Sequence, residues 1–213
     1  MMERSGRSPA ASAKPEPVDG RRLRSARTRQ IIIEAYLALL RESPQIPTAV
    51  SIARRAGYSV RSVFERFPDL HALRVAATDD ALLMASAQVA DRPAGGSRRD
   101  RLKAHVETRG RICEEWLPLW RALIVNQGDS TDLKARIRTI RELVIRRLED
   151  VYAPELSTLA DRERRQTILA MEALVDFESW ARMREQFGLS FEEARDVWMR
   201  AIDRLLPSTP PVS

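Results

Sequence analysis

Apolar residues recur at helical spacing along most of this 213-residue chain, and no segment shows the sustained two-residue alternation of a β-strand. A helix with an apolar stripe must bury that stripe against a neighbour. A chain of this length can form a packed core without disulfides or metal ions. The sequence therefore predicts an all-α protein of about nine helices.

Proline, glycine and small polar residues mark the predicted helix ends. Pro44 and Pro47 end the first helix, because proline lacks the amide hydrogen that a helix interior needs. Gly57 suits the left-handed conformation that closes a helix, and Ser59 suits the start of the next helix. The predicted helices cover residues 25–42, 48–55, 59–66, 70–90, 98–113, 115–126, 131–152, 160–187 and 190–206.

The excess positive charge of the chain is concentrated near its N-terminus. The net charge is +6, yet residues 21–74 contain eleven arginines against four acidic residues, which gives +7 for this segment alone. Residues 1–20 are neutral overall, and residues 75–213 carry −1. A concentrated basic segment indicates a polyanionic partner such as nucleic acid, although an arginine-rich solvated surface would show the same charge.

Cysteine and histidine are scarce. The single cysteine, Cys113, allows no intramolecular disulfide and no cysteine-cluster zinc site, and His71 and His105 are the only imidazoles available to a transition metal. No apolar run is long enough to cross a bilayer, and the N-terminal residues lack the apolar core of a secretory signal. We therefore expect a cytoplasmic protein with no membrane partner, cofactor or metal site.

The segment TAVSIARRAGYSVRSVFERF, residues 48–67, has the pattern of two short helices that cross at close range. Ala53 and Ala56 are small enough to let the helices approach, and Gly57 turns the chain between them. Val63 supplies an apolar contact from the second helix. Such a pair is the helix-turn-helix unit, whose second helix fits the major groove of DNA.

The predicted DNA contacts are of two kinds. Val60, Arg61 and Ser62 lie at the start of the second helix, where side chains reach base edges, and Arg61 could bond guanine through two donors. The other arginines of the motif, and the free amides at its two helix starts, suit phosphate, which positions the protein without reading sequence. The candidate DNA-binding residues are Thr48, Arg54, Arg55, Ser59, Val60, Arg61, Ser62, Phe64 and Arg66.

The same motif resembles that of the tetracycline-repressor (TetR) family of bacterial transcriptional regulators. The family pattern is Ile-Ala, then Ala-Gly-hydrophobic-Ser, then a short recognition helix that holds an aromatic and closes on Phe. The matching residues are Ile52-Ala53, Ala56-Gly57-Tyr58-Ser59, Phe64 and Phe67, preceded by a first helix with Arg29, Ile32, Ala35 and Leu39 at the family's spacing. The last two helices are also similar, so the resemblance covers nearly all of residues 25–206.

Two positions depart from the family pattern. Phe64 stands where the family usually has a tyrosine whose hydroxyl contacts phosphate. Leu70, followed by His71, stands where the family usually has a phosphate-binding lysine. Arginines at positions 21, 22, 24 and 66 could replace these contacts. The alternative is a degenerate domain that no longer binds DNA, which the charge of +7 argues against.

Composition and the resemblance together divide the chain into four parts. Residues 1–22 are a disordered basic arm, and residues 23–69 are the helix-turn-helix DNA-binding domain. Residues 70–206 are a helical effector-binding and dimerisation domain, and residues 207–213 are a disordered tail.

The resemblance also implies a homodimer that binds a palindromic operator in double-stranded DNA. The subunits would meet through helices near 160–187 and 190–206. The first of these is apolar on more than one side, which fits a subunit interface but also fits a helix buried within a monomer.

The C-terminal domain of the family usually holds a pocket for a small-molecule effector. Its candidates here are polar groups on otherwise apolar helix faces and aromatic side chains that could form the walls. The candidate ligand-binding residues are Asp80, Met84, His105, Arg109, Trp116, Trp120 and Phe177.

Three functions remain open at this point. The first is a repressor that an effector releases from its operator, the second is a DNA-binding regulator without an effector, and the third is a helical enzyme. The candidate catalytic groups are the adjacent carboxylates Asp79 and Asp80, and Cys113 with His105 two helical turns away. Neither set has the spacing of a metal or nucleophile site, so we predict a regulator and not an enzyme.

Overall fold

Ten α-helices and one π-helical turn form the regular structure of residues 20–43, 45–90 and 95–211, the part of the chain that this computed structural model describes. The α-helices are α1 (Gly20–Glu42), α2 (Ala49–Ala56), α3 (Val60–Arg66), α4 (Leu70–Ala90), α5 (Arg98–Asn126), α6 (Thr131–Val151), α7 (Ala153–Leu156), α8 (Asp161–Leu174), α9 (Phe177–Ala181) and α10 (Phe191–Leu205), and the π-helical turn is Arg182–Gln186. The all-α prediction is confirmed. Among these helices none combines the length and the hydrophobicity that a membrane crossing requires.

Helix α5 is the centre of the packing. It contacts α1, α4, α6, α9 and α10, while α1 also packs on α2, α3 and α4. We call α1–α3 the N-terminal half of the molecule and α5–α10 its C-terminal half. One hydrophobic core runs through both halves, from Ile52 on α2 to Trp198 on α10. Helix α4 lies between the halves, because it contacts α1 on one side and α6 on the other.

The prediction of two helices at 98–113 and 115–126 is wrong, since α5 runs unbroken through both segments with Pro118 inside it. A proline removes one helical hydrogen bond and crowds the preceding turn. The side chains on both sides of Pro118, among them Trp116 and Trp120, are nevertheless buried against neighbouring helices. Tertiary packing holds the helix where local preference would break it.

The prediction of one helix over 160–187 is also wrong. The chain leaves the α-helical conformation at Val175 (φ −90°, ψ 20°) and Asp176 (φ −68°, ψ 155°). The Asp176 carboxylate then caps α9 by accepting a hydrogen bond from the Glu178 amide at 2.8 Å. Short acidic side chains compete with the helix in this way. At this break the Val175 carbonyl accepts a hydrogen bond from the Arg109 side chain.

The chain ends differ from the predicted boundaries. Helix α1 begins at Gly20, inside the predicted arm, and the rest of that arm, residues 1–19, lies outside the described residues. Part of the predicted disordered tail is held in place: Arg98 donates to the Pro207 carbonyl, and Thr209 donates to Glu155 at 2.6 Å. Residues 212–213 lie outside the described residues.

A buried ion pair joins the start of α5 to α7. The Arg101 side chain is 7% exposed and the Glu155 side chain is not exposed at all. Arg101 donates through Nη2 to Glu155, through Nε to the Val151 carbonyl at 2.9 Å and through Nη1 to the Gly96 carbonyl at 3.0 Å. A buried pair of this kind is stable only while every partner is present.

Candidate nucleic-acid interface and ligand cavity

Side-chain caps and one glycine set the geometry of α2 and α3. Thr48 Oγ1 accepts a hydrogen bond from the Ser51 amide at 3.2 Å, and Ser59 Oγ accepts one from the Ser62 amide at 3.1 Å. Between the helices Gly57 has φ 74°, the left-handed conformation that costs glycine nothing and other residues about 1 kcal/mol. Both predicted caps and the predicted turn are therefore present.

Helix α1 covers the inner faces of α2 and α3. Ile52 and Val63 are completely buried there, and Ala53 is 3% exposed, which allows the close approach that the sequence predicts. Phe67 is buried at the end of α3, and the guanidinium carbon of Arg29 lies 4.9 Å from its ring centre. Because these contacts use the inner faces, the outer face of α3 is left to solvent.

The outer face of α3 presents Arg61. Its side chain is 88% exposed, and its one ion pair among the described residues is with Glu65 in the next turn, at 3.1 Å. An exposed pair of this spacing is worth about 0.5 kcal/mol or less and is readily exchanged for another partner. Phe64 is 45% exposed beside it, while Val60 and Ser62 are half-buried.

The other predicted DNA-binding arginines have different surroundings. Arg54 is exposed and has no hydrogen bond or ion pair with another described residue. Arg55 is engaged, because both terminal nitrogens of its guanidinium bond the Glu42 carboxylate, at 2.9 and 2.6 Å. Arg66 is half-buried, and its Nε is buried without a hydrogen-bond partner in the described part of the chain. Of the three, Arg54 is the most accessible to a phosphate.

The start of α4 faces the protein and not the outer surface of α3. Leu70 packs against the core, and the His71 ring lies 3.4 Å from Ser130 Oγ and 3.9 Å from the Asp132 carboxylate at the start of α6. Sequence reasoning missed Tyr58 as a candidate contact. Its side chain is partly exposed on the turn between α2 and α3, and its hydroxyl accepts from Thr28 of α1 at 3.4 Å.

A cavity of about 250 Å³ lies between α4, α5, α6 and α9. Five of the seven predicted ligand-binding residues line it, and the structure therefore brings them together: His105, Arg109, Trp116, Trp120 and Phe177. The cavity reaches the molecular surface between α4 and α6, where Ser86 and Leu143 are both lining and exposed.

The placement of Asp80 and Met84 in this cavity is wrong. Helix α4 turns Thr78, Ala81 and Ala85 toward the cavity, whereas Asp80 accepts from Gln30 of α1 at 3.2 Å and Met84 is 48% exposed. Apolar residues lie on several sides of α4, so its sequence does not define which side faces inward. A change of one residue rotates the direction of a helical side chain by about 100°.

Sequence reasoning missed the contribution of α6. Ile140, Val144 and Arg147 line the cavity from this helix. The three positions are separated by four and three residues, which places them on one helix face. The apolar stripe of α6 contained the signal for the first two, and Arg147 continues the same face at its C-terminal end.

The polar groups of the cavity are held in fixed positions. Arg109 is 8% exposed, its Nε donates to the Val175 carbonyl at 2.8 Å, and its guanidinium carbon lies 4.6 Å from the Phe177 ring centre. The Nδ1 of His105 lies 2.9 Å from the Tyr152 hydroxyl. Burial, reinforced by the positive charges of Arg109 and Arg147, lowers the pKa of His105 to about 3. His105 is therefore neutral at physiological pH.

The groups that could suggest an enzyme are engaged or inactivated. Burial raises the pKa of the Cys113 thiol to about 11, so it stays protonated and is a poor nucleophile. Asp79 accepts two hydrogen bonds from Arg136, both at 3.0 Å. Within residues 20–43, 45–90 and 95–211, no three His, Cys, Asp or Glu side chains are grouped so that they could hold a metal ion.

No protein-family model matches the chain, and no curated relative matches it. Solved structures are similar to it. A transcriptional regulator from Rhodococcus sp. Rha1 has 18% sequence identity and a TM-score of 0.68, over 85% of this chain and 99% of that chain. A TetR-family transcriptional regulator from Streptomyces coelicolor has 19% identity and a TM-score of 0.68, over 84% of this chain and 80% of that chain.

A third similar structure is the multidrug binding protein EbrR complexed with imidazole, with 19% identity and a TM-score of 0.61 over 87% of this chain and 93% of that chain. At such identities the likeness shows the fold. The described chain has the fold of the TetR-family transcriptional regulators, and the predicted fold is confirmed.

Proposed function

We propose that this chain, which has the TetR fold, is a cytoplasmic, sequence-specific regulator of transcription that binds a palindromic operator as a homodimer and is released by a small-molecule effector. The main support is Arg61, 88% exposed on the first turn of α3, in a helix-turn-helix whose inner face is closed by α1. Side chains at this place in the second helix reach base edges in the major groove.

The arginines of the helix-turn-helix differ in their surroundings, so we assign them different contacts with DNA. Arg61 reads bases, because an exposed guanidinium can bond guanine through two donors. Arg54, which has no partner among the described residues, contacts phosphate. Arg55 contributes less than the sequence predicts, because Glu42 already neutralises it.

A homodimer through α8 and α10 is supported by the apolar side chains that these helices expose. Leu169 of α8 is 48% exposed, and Val197 and Leu205 of α10 are 46% and 41% exposed. Helix α8 is thus not buried within one subunit, as the alternative would require. Two recognition helices related by the dimer axis would bind half-sites about 34–36 Å apart.

The position of α4 supports a response to an effector. Its C-terminal half lines the cavity through Ala81 and Ala85, and the helix also packs on α1 of the DNA-binding half. A ligand that binds more tightly when α4 is displaced would weaken operator binding by the same coupling free energy. The multidrug binding protein EbrR, which has a similar fold, is complexed with imidazole, so another protein of this fold holds a small molecule.

A second contact path links the cavity to α2. Trp116 lines the cavity, and the guanidinium carbon of Arg41, at the end of α1, lies 5.0 Å from its ring centre. The next residue, Glu42, holds Arg55 of α2. A ligand that moves the Trp116 ring therefore also moves Arg41, the residue next to the Glu42 that holds Arg55.

The proposal is tested by selecting bound sequences from a random DNA pool and titrating the selected site with wild type and with Arg61→Ala. The variant should lose about 1–3 kcal/mol of binding free energy and accept more bases at one position of each half-site. The matched control is Arg138→Ala, an exposed arginine of α6. The absence of a selected site would contradict DNA binding, and equal affinities of wild type and Arg61→Ala would contradict base reading by Arg61.

The response to an effector is tested separately. A thermal-shift screen identifies compounds that stabilise the protein, and each is then added to the operator complex. Release of the operator is expected. Stabilising compounds that leave operator affinity unchanged would favour the alternative, a DNA-binding regulator without an effector.

A further inference from the structure

The wall of the cavity has an unusual charge composition. Its charged side chains in the described part of the chain are Arg109 and Arg147, and no Asp or Glu lines it. Most of the remaining wall is apolar, with Trp116, Trp120 and Phe177 as the aromatic surfaces. An apolar cavity with few convergent polar groups is typical of a small-molecule site, and here those groups are cationic.

Arg109 is a buried cation that no carboxylate neutralises in the described part of the chain. Among the described residues no acidic oxygen lies within 4.0 Å of its guanidinium. The nearby acids have other partners: Glu114 accepts from Trp180 and Arg184, and Asp176 caps α9. The Val175 carbonyl and the Phe177 ring compensate the charge only in part, because the two terminal nitrogens have no hydrogen bond to the described chain.

A buried charge without a counter-ion is costly, and a ligand that supplies the opposite charge offsets this cost on binding. A guanidinium holds a carboxylate through two parallel hydrogen bonds, each stronger than a bond between neutral groups. A cationic ligand would instead meet two like charges at short range. A neutral ligand would bury the same surface and leave the charge of Arg109 uncompensated.

His105 adds no charge to the cavity. Its ring is neutral, its Nδ1 is taken by Tyr152, and its Nε2 has no hydrogen bond to the described residues. The hydroxyls of Thr78 and Thr108, which also line the cavity, donate to carbonyls of their own helices. These groups orient a polar ligand atom but add no charge.

We propose that the cavity binds a small organic anion, the ionised form of a hydrophobic carboxylic acid. Arg109 and Arg147 hold the carboxylate, and the hydrocarbon part packs on the aromatic wall formed by Trp116, Trp120 and Phe177. The volume of about 250 Å³ is just below the usual range for drug-sized ligands, which favours a compact acid. The inference names the chemical class of the effector and rests on the proposed function in that one respect.

The test compares ligands that share a hydrocarbon part and differ in the charge of the head group. Three sets serve: phenylacetate, hydrocinnamate and octanoate, each with its primary amide and its ammonium analogue. Binding to the DNA-free protein is followed by calorimetry and by the total tryptophan fluorescence, to which Trp116 and Trp120 of the cavity wall contribute. We expect at least one carboxylate to bind about tenfold or more tightly than its amide, and the ammonium compounds to bind weakest.

Substitutions locate the charge that gives this preference. Arg109→Met keeps the unbranched apolar stem of the side chain and removes the cation, so it should remove most of the preference for carboxylate over amide. Arg147→Met should reduce it in part. Arg111→Met, on the exposed side of α5, is the matched control and should retain the wild-type preference. If Arg109→Met does not fold, the wild-type ligand sets and Arg147→Met still decide the question.

Two results would overturn the inference: an amide or ammonium compound that binds as tightly as its carboxylate, or no measurable binding of any of the three carboxylates. Neither result bears on DNA binding, because the ligand titrations contain no DNA. Conversely, carboxylate binding with the expected preference, together with a failed operator selection, would support this inference and contradict the proposed function.

Discussion

Arginine has opposite surroundings in the two halves of the molecule. In the helix-turn-helix, Arg61 is 88% exposed and Arg54 has no partner among the described residues. In the C-terminal half, Arg101 and Arg109 are 7% and 8% exposed, and the Nε of each donates to a carbonyl where a helix ends. Carbonyls at a helix C-terminus lack helical partners and carry partial negative charge, so they suit a buried cation.

This comparison shows why net charge alone does not locate a functional surface. Residues 75–213 carry only −1, yet the cavity within them is lined by cations. Acidic residues elsewhere on the same segment balance the count without contacting Arg109. Within residues 21–74, by contrast, exposed arginines such as Arg54 and Arg61 place part of the +7 at the surface, which only the structure shows.

The largest difference between the halves should appear in stability. Replacing Arg101 with Met leaves Glu155 buried without its counter-ion, so we expect a loss of about 3–5 kcal/mol in the free energy of unfolding. Arg61→Ala, its counterpart on the DNA-facing surface, should change it by about 0.5 kcal/mol or less. Urea unfolding of both variants makes the measurement. Equal losses would break the distinction between buried and exposed arginines.

The glycines of the two halves should also respond differently. An alanine Cβ at Gly110 of α5 would lie 2.8 Å from Trp180 and 3.2 Å from Phe191, so Gly110→Ala should cost about 1–3 kcal/mol through overpacking. At Gly57 there is open space and the cost arises from φ 74° alone, about 1 kcal/mol. Thermal unfolding separates the two. A larger loss at Gly57 than at Gly110 would show that backbone strain outweighs packing here.

The histidine of the cavity should give the protein a pH-dependent stability. The folded-state pKa of His105 is lowered to about 3 from its ordinary 6.5, so the unfolded chain binds this proton first as the pH falls. The contribution is complete above pH 6.5 and is lost progressively below it, by up to about 1.4 kcal/mol per pH unit. Unfolding between pH 7 and pH 5 should show this slope in wild type.

The chain has two histidines, which supplies the control for that measurement. His105→Asn keeps a nitrogen near the position of Nδ1 and should lose the slope between pH 7 and pH 5. His71→Asn should keep it, because the His71 side chain is 38% exposed. A slope that persists in His105→Asn would mean that the buried imidazole is not its source.

The smallest expected effect separates two adjacent arginines of α2. Arg54→Ala should remove one phosphate contact and reduce the dependence of operator affinity on salt concentration by about one unit of logarithmic slope. Arg55→Ala should change the slope less, since Glu42 already neutralises Arg55. Anisotropy titrations over a range of salt concentrations measure both. A larger change in Arg55→Ala would show that DNA displaces Glu42.

Local sequence patterns predicted most of the helices and the whole helix-turn-helix. Thr48, Gly57 and Ser59 act through their own neighbouring amides or their own backbone, so their effect can be predicted from the sequence. The errors in α5 and in the segment 160–187 have different causes. At Pro118 packing against distant residues overrides the local preference, whereas at Asp176 a local side-chain cap ends the helix inside an apolar stretch.

The residues of the candidate cavity were predicted only in part. The five predicted residues that line the cavity lie on α5 and α9, whose aromatic and polar residues stand out from the sequence around them. Asp80 and Met84 were misplaced because α4 is apolar on several sides, and their rotation is fixed by contacts with α1 and α6. Arg147 was missed because a single arginine at the end of a stripe resembles a solvated residue.

The sequence by itself determined the all-α fold, the two caps and left-handed turn of the helix-turn-helix, and the concentration of positive charge around it. Each depends on periodicity, short-range hydrogen bonds or composition. Only the tertiary structure decided which arginines stay free and which are buried, that α5 continues through Pro118, and that the break at Val175 offers its carbonyl to Arg109. These outcomes depend on burial, and burial depends on which helices meet.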